Sequence, residues 1–331
     1  MKVLVTSKSF GRHAPEALRL LERHAIEVVW TQHTSPTPAQ IAAEVPGFDA
    51  LVVGNDIVDA AVMAAGDRLK LIHMHGTGLD GIDVAAATER GILVANAPGA
   101  NRNAVAELTV ALMLAAARKL AWHMEVLEAG GWERKAGFEV AEKTVGLVGL
   151  GNIGKRVVEL LSGFEVRALA FDPRPDSSWA TAHGVLLVDS VDSIFAESDF
   201  VVLALPLTAE TRQLVDARRI QTMKRHAFLI NTARGGLVDE EALAAAVREG
   251  RLAGAALDAF SEEPLPLDSV LRQPGITLTP HLAATSIETA ANVSKIVSRN
   301  VVDVLVHGDR TCAINGVHSS GAREARSAGS R

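Results

Sequence analysis

The stretch "TVGLVGLGNIGKRV", residues 144–157, decides the fold. Gly149, Gly151 and Gly154 form G-x-G-x-x-G between an apolar run with strand character, "TVGLV", and a helix-like run, "NIGKRVVELL". In such a turn the first glycine permits a tight bend. The second lets a pyrophosphate approach the backbone, and the third lets helix and strand pack closely. The helix N-terminus then presents unpaired N–H groups to the anion. Asp172 ends the following apolar run, "VRALAFD", where a carboxylate can accept hydrogen bonds from adenosine ribose hydroxyls. An acid there repels a 2′-phosphate, so the expected cofactor is NAD, with NADP less favoured. Arg174, two residues on, pulls the other way. Alone the glycine motif is weak, since Gly-rich turns are common; Asp172 favours cofactor binding over the alternative of a Gly-rich turn with a solvated strand-end Asp.

Outward from this stretch the same alternation runs in both directions. Upstream, "KVLV", "EVVW", "DALVV", "LKLIHM" and "ILVAN" are short apolar runs separated by helical patterns, a βα series that implies a parallel sheet covered by helices. It ends near Asn96, where "NAPGAN" breaks the chain. Downstream come "VRALAFD", "VLLV", "DFVVLALP", "HAFLINTA", "LAGAALDAF" and "ITLTP", then a helix over 286–306 and a short terminal strand candidate. The fold class is therefore α/β, with two open parallel-sheet domains, and a cleft between such domains is where cofactor and substrate are expected. The helix over "AVAELTVALMLAAARKL" is apolar on nearly every face, so it needs cover on more than one side, from both domains or from a second subunit. A homodimer is expected on that ground. The tail, residues 317–331, is Ser, Gly, Ala and charge without periodicity and is expected to be disordered.

Bulk composition excludes several classes. A formal charge of -6, with scattered basic residues, gives no cationic surface for a nucleic acid. The first residues lack the long apolar stretch of a signal peptide, and the most apolar segment contains Glu107, so no membrane span is expected. The single Cys312 cannot form an internal disulfide, which fits a reducing, cytoplasmic setting. His73 and His75 alternate along "LIHMHG" as two metal ligands might be spaced on a strand, but no third ligand is evident and no metal is expected.

Three further polar residues follow apolar runs. Arg234 follows "AFLIN", Glu263 follows "AGAALD", and His281 follows "TLTP". Open parallel sheets place ligands at the carboxyl ends of their strands, so these three can converge. Singly, each also fits a plainer role: a helix-capping Arg, a surface Glu, a loop His. Together they supply an anion fork, a carboxylate and a proton carrier.

With these residues in place, seven motifs in order resemble the D-isomer-specific 2-hydroxyacid dehydrogenases. They are "GTGLDGID", "NAPGANRNAVAEL", "GLVGLGNIGKRV", "LPLTAETRQLV", "INTARGGLVDEEAL", "LDAFSEEPLP" and "TPHLAATS", within a resemblance over residues 1–306. It implies a flavodoxin-like substrate-binding domain made of 1–97 plus 286–316, with a Rossmann NAD-binding domain, 98–285, inserted in it and crossings near Pro98 and Thr285. It also implies that Arg234 anchors a 2-keto or 2-hydroxy acid, that His281 is the acid/base and that Glu263 is its partner. Asn152 and Ile153 then lie at the pyrophosphate turn, Pro206 and Thr211 along the cofactor, and Ala233 and Asp258 near the nicotinamide. Thr77 and Gly78 offer backbone N–H groups to the substrate carboxylate, with Thr77 also near the cofactor.

In this family substrate side chains meet the front domain, where Lys8, Ser9 and Asn55 are available. Relatives acting on 3-phosphoglycerate often carry Arg where this chain has Met74, so the resemblance favours glyoxylate, hydroxypyruvate or a modest aliphatic 2-keto acid. A different class on the same fold, NAD-sensing dimeric corepressors, is the alternative, since fold alone does not separate the two.

Overall fold

The computed structural model describes residues 1–316, so the tail expected to be disordered lies outside the described residues. The strands are β1 (Lys2–Val5), β2 (Glu27–Trp30), β3 (Ala50–Val53), β4 (Leu71–Met74), β5 (Leu93–Ala95), β6 (Thr144–Val148), β7 (Arg167–Phe171), β8 (Leu186–Leu187), β9 (Phe200–Leu203), β10 (Phe228–Asn231), β11 (Gly254–Leu257) and β12 (Ile276–Leu278). The α-helices are α1 (Pro15–Arg23), α2 (Pro38–Glu44), α3 (Ala60–Ala65), α4 (Val84–Glu89), α5 (Arg102–Ala117), α6 (Leu120–Glu128), α7 (Asn152–Leu161), α8 (Ser177–Ala182), α9 (Val191–Glu197), α10 (Ala217–Thr222), α11 (Glu240–Arg248) and α12 (Ile287–Val302). The described residues form two compact units: residues 1–101 with 286–316, and residues 102–285.

The first unit is a five-stranded parallel sheet in the order β2-β1-β3-β4-β5. Side chains alternate across it with the strand period of two. Val3, Val5, Ala50 and Val52 pack on one face with Leu21 of α1 and Val293 and Val297 of α12. Leu4, Leu51 and Val53 pack on the other with Ile41 of α2 and Val62 of α3. Burial on both faces is why these strands read as unbroken apolar runs rather than alternating ones. The final helix thus belongs to the front sheet. The terminal strand expected after it is reduced to one antiparallel bridge, Ala95 with Ala313. There Asn315 takes over the edge bonding, accepting from Val94 N (3.1 Å) and donating to Ile92 O (2.8 Å).

The second unit is a seven-stranded parallel sheet in the order β12-β11-β10-β9-β6-β7-β8. One face carries Val148, Val201, Leu229 and Leu257, packed on α9, α10 and α11; the other carries Leu147, Val202, Ile230 and Ala256, packed on α5 and α7. Because every pairing is parallel, all carboxyl ends lie along one edge. The long apolar helix ends earlier than its pattern suggested. Lys119 adopts a left-handed conformation (φ 52°) and splits it into α5 and α6. Helix α5 finds its cover within its own unit, against α7, β10 and β11. It is α6, with no buried residue, that leaves Leu120, Met124 and Leu127 exposed.

Candidate active site

The glycine turn joins β6 to α7 at the carboxyl edge of the larger sheet. Gly149 has φ +100°, and a Cβ there would lie 2.4 Å from the Ala204 carbonyl oxygen. A Cβ on Gly154 would lie 2.3 Å from the Gly149 carbonyl oxygen, so both positions exclude side chains for reasons internal to the fold. Gly151 differs, because a Cβ on it meets nothing within 4 Å. The turn is open on that side. Gly151 is also the N-cap of α7 and no side chain caps the helix, which leaves the first-turn N–H groups of Asn152 and Ile153 without the usual side-chain acceptor. Beside this turn, Asp172 follows β7. Its Oδ2 accepts from Leu150 N (2.9 Å) and its Oδ1 from Arg174 N (2.9 Å), so the carboxylate is fixed against the glycine turn. An uncapped helix start, an open glycine and an oriented acid fit a dinucleotide.

Pro206 and Thr211 lie in the loop after β9, which is stapled by Thr211 itself: its Oγ1 donates to Pro206 O (2.8 Å) and accepts from Thr208 N (2.7 Å). The hydroxyl is thereby used in shaping the loop.

Arg234, Glu263 and His281 follow β10, β11 and β12, three adjacent parallel strands. Asn231, the last residue of β10, is fully buried and shapes the turn that presents Arg234. Its Oδ1 accepts from Ala233 N (3.0 Å) and its Nδ2 donates to Arg234 O (2.9 Å). Arg234 Nη1 in turn donates to Ala233 O (2.8 Å). At Gly235 the backbone runs so close to the next loop that a Cβ would sit 1.8 Å from the Phe260 carbonyl carbon. That approach brings the Arg234 turn against the segment leading to Glu263.

Glu263 and His281 are paired. The imidazole Nδ1 and Glu263 Oε2 are 2.6 Å apart, and Glu263 Oε1 accepts from Phe260 N (2.9 Å). An ionised carboxylate only accepts, so the proton of this bond is on Nδ1, which leaves Nε2 as the ring atom that takes up and releases a proton. His281 has φ 50°, the left-handed region that a β-carbon disfavours. The conformation is braced by Asp258, which is 1% exposed. Asp258 Oδ1 accepts from Thr279 Oγ1 (2.6 Å) and Leu282 N (2.9 Å), and Oδ2 from Ala283 N (2.8 Å). Asp258, assigned from the resemblance to the nicotinamide, spends its carboxylate on the loop that carries His281. Asn231 and Thr279 were not singled out from the sequence. Their signal was a polar residue at or just past the end of an apolar strand.

In the other unit, Thr77 and Gly78 follow β4. The loop is pinned by Asn96 Nδ2 donating to Thr77 O (2.7 Å) and Asn101 Nδ2 donating to Thr77 Oγ1 (3.2 Å), bonds that do not use the Thr77 or Gly78 N–H. His73 and His75 have both ring nitrogens engaged. His73 Nδ1 donates to Met74 O (2.8 Å) and Nε2 accepts from Asn300 Nδ2 (2.9 Å). His75 bonds Ser7 Oγ (3.1 Å), Ser9 Oγ (3.3 Å) and Ser294 Oγ (3.0 Å). Burial pushes both imidazoles down to about 4. Among the described residues no group of three or more His, Cys, Asp or Glu is placed to hold a metal ion, and no helix is long and apolar enough to cross a membrane.

Comparison with known proteins gives consistent relatives. The family model for "D-isomer specific 2-hydroxyacid dehydrogenase, NAD binding domain" matches residues 110–283. A D-3-phosphoglycerate dehydrogenase of Archaeoglobus fulgidus is 39% identical over 92% of this chain and 57% of its own length. A glyoxylate reductase of Thermofilum pendens is 38% identical over 82% of each chain. The crystal structure of the TT0316 protein from Thermus thermophilus superposes with a TM-score of 0.87 at 34% identity, covering 95% of this chain and 100% of the other. The chain spans little more than half the length of the phosphoglycerate dehydrogenases it matches.

Proposed function

The chain belongs to the D-isomer-specific 2-hydroxyacid dehydrogenase family, and from that premise we propose that it interconverts a small 2-keto acid and the corresponding D-2-hydroxy acid with NAD. The observation that carries the proposal is the 2.6 Å pair of His281 Nδ1 and Glu263 Oε2, on the same sheet edge as the uncapped glycine turn. A nicotinamide cofactor, when bound, supplies or accepts the hydride. Everything else is done by side chains and backbone of this chain.

Asn152 and Ile153 N–H groups at the α7 N-terminus hold the pyrophosphate, Gly151 leaves room for it, and Asp172 takes the ribose hydroxyls. Ionised Asp172 repels a 2′-phosphate, which supports NAD over NADP. Pro206, Thr211 and Ala233 line the cofactor's course. Arg234 grips the substrate through its planar fork, which stays charged at any working pH. Thr77 and Gly78 donate backbone N–H groups to the substrate carboxylate.

In reduction, His281 donates the Nε2 proton to the carbonyl oxygen as negative charge develops there, and Arg234 stabilises the same charge. In oxidation neutral Nε2 takes the hydroxyl proton. Glu263 accepts from Nδ1 and fixes the ring's orientation. Asp258 holds the backbone that carries the ring.

We propose a homodimer as the working form, with α6 at its contact. Leu120, Met124, Leu127 and Trp132 are 47%, 61%, 60% and 84% exposed, an apolar surface that a second copy would cover. The activity is tested by following NADH absorbance with glyoxylate, hydroxypyruvate and pyruvate, and repeating with NADPH. Turnover with NADH, weaker with NADPH, is expected; inactivity toward every keto acid would overturn the proposal.

A further inference from the structure

Among the described residues, the buried face of α5 is apolar except at Thr109, which is 0% exposed. Ala106, Leu112, Met113 and Ala116 on that face pack in one cluster with Val157 and Leu161 of α7, the helix that the glycine turn opens. A hydroxyl set in such packing is costly unless it is bonded. Thr109 meets part of that cost inside its own helix, where Oγ1 donates to Val105 O (2.7 Å). That bond alone gives threonine no advantage over valine, because back-bonding of this kind slightly weakens a helix. The second bond of the hydroxyl is what a valine could not make.

That second bond leaves the helix. Thr109 Oγ1 lies 2.7 Å from Thr232 Oγ1 in the turn after β10. A hydroxyl has one hydrogen, and Thr109 gives its own to a carbonyl, which can only accept. Thr232 is therefore the donor, and the bond fixes its side chain. The neighbours of Thr232 are fixed from another direction. Asn231 O accepts from Asp258 N (2.9 Å), and the Asn231 side chain accepts from Ala233 N and donates to Arg234 O. The segment 231–234 is thus held between α5 on one side and Asp258 on the other, with Thr232 as the hydrogen-bonded tie to α5. The tie is buried at both ends, Thr232 being 8% exposed, so little water competes for it.

We propose that Thr109 and Thr232 are positioning residues: their hydroxyl pair sets the direction in which the turn presents Arg234, and so the grip of the guanidinium on the keto acid. The inference rests on the dehydrogenase reading, which puts the substrate at Arg234. Because α5 also packs against α7, the pair ties the substrate's anchor to the helix that backs the cofactor's turn. Packing and positioning make opposite predictions here. Replacing both partners of a buried bond by apolar groups of the same shape is nearly neutral or stabilising, whereas an anchor displaced by a fraction of an ångström loses efficiency.

The test is the double variant Thr109→Val/Thr232→Val beside the parent, with Thr109→Val and Thr109→Ser as single variants. Thermal melts, NADH titration and kcat/KM for glyoxylate are read on each. The double variant should melt at or above the parent and bind NADH within about twofold, while kcat/KM for glyoxylate falls about tenfold. Thr109→Val alone strands the Thr232 hydrogen and should lower both the melting temperature and kcat/KM. Thr109→Ser keeps the acceptor and should recover most of the lost efficiency. A double variant with the parent's kcat/KM would overturn the proposal. So would one whose melting temperature and NADH affinity fall together with kcat/KM, because the pair would then serve packing alone. A parent inert toward every keto acid is a separate failure, which overturns the dehydrogenase reading and the positioning role with it.

Discussion

Asp258 holds Leu282, the residue directly after His281, through a 2.9 Å bond from the Leu282 N–H to Oδ1. The same oxygen takes the Thr279 hydroxyl and the other takes Ala283 N, so one buried carboxylate brackets a residue whose backbone is left-handed. Asp258→Ala strands three donors, each costing about 1–3 kcal/mol when left unsatisfied in a buried place. A lower melting temperature is expected. Asp258→Asn retains part of the bracket and should fold, with kcat lowered about 10- to 100-fold through misplacement of the imidazole while NADH affinity holds. Steady-state kinetics with a binding titration separates the two; unchanged kcat in Asp258→Asn would remove the bracket from the mechanism.

The glycines of the turn should divide by function. Gly154→Ala drives a Cβ to 2.3 Å from the Gly149 carbonyl oxygen, an overpacking expected to cost about 1–3 kcal/mol of stability. Gly151→Ala meets nothing within 4 Å and should stay within about 0.5 kcal/mol of the parent. Its NADH affinity should nevertheless fall about tenfold, because the lost space is the cofactor's. Thermal melts and fluorescence titration check both; a Gly151→Ala protein that binds NADH normally would contradict the placement.

Glu263→Ala removes the acceptor that holds His281 Nδ1 at 2.6 Å and fixes the ring, so kcat should fall about 10- to 100-fold while NADH affinity holds. Glu263→Gln keeps an amide oxygen in reach of Nδ1 and should recover part of that loss. Steady-state kinetics of the two variants beside a binding titration is the measurement. Unchanged kcat in Glu263→Ala would deny Glu263 its role.

Stability should also depend on pH, through two buried groups of the smaller sheet. His73 and His75 are held at about 4 by burial, against an ordinary value of 6.5. Their bonds run to Met74 O, Asn300, Ser7, Ser9 and Ser294, and His75 stands edge-on to Phe10, so no acid among these partners supports a charged ring. Between those values the unfolded chain binds protons that the native state refuses. Stability is full above about 6.5 and is lost as pH falls toward 4, by roughly 3 kcal/mol for each ring. Urea melts from pH 7.5 to 4.5 read this slope, and His75→Gln should flatten it.

Much of the fold was legible because both sheets are buried on two faces, which makes each strand an apolar run and each helix a periodic one. The boundary between α5 and α6 was not, because Lys119 takes a left-handed backbone without a glycine to announce it. Two-residue β8 sits on an edge, and its exposed leucines read as a longer strand than they form. In the site, Gly149, Gly151, Gly154 and Asp172 were legible from spacing, since backbone geometry dictates them. Arg234, Glu263 and His281 were legible as polar residues past strand ends. What spacing could not yield was the work of Asn231 and Asp258. Both are buried polar side chains whose partners lie in loops, and loop paths leave no periodic trace.

The central claim is that Nε2 of His281 delivers the proton to the keto acid, and single-turnover reduction of glyoxylate by His281→Ala tests it most directly. The account predicts a rate roughly 10²- to 10⁴-fold below the parent's, with NADH binding essentially retained. A variant that reduces glyoxylate at the parent's rate would contradict it.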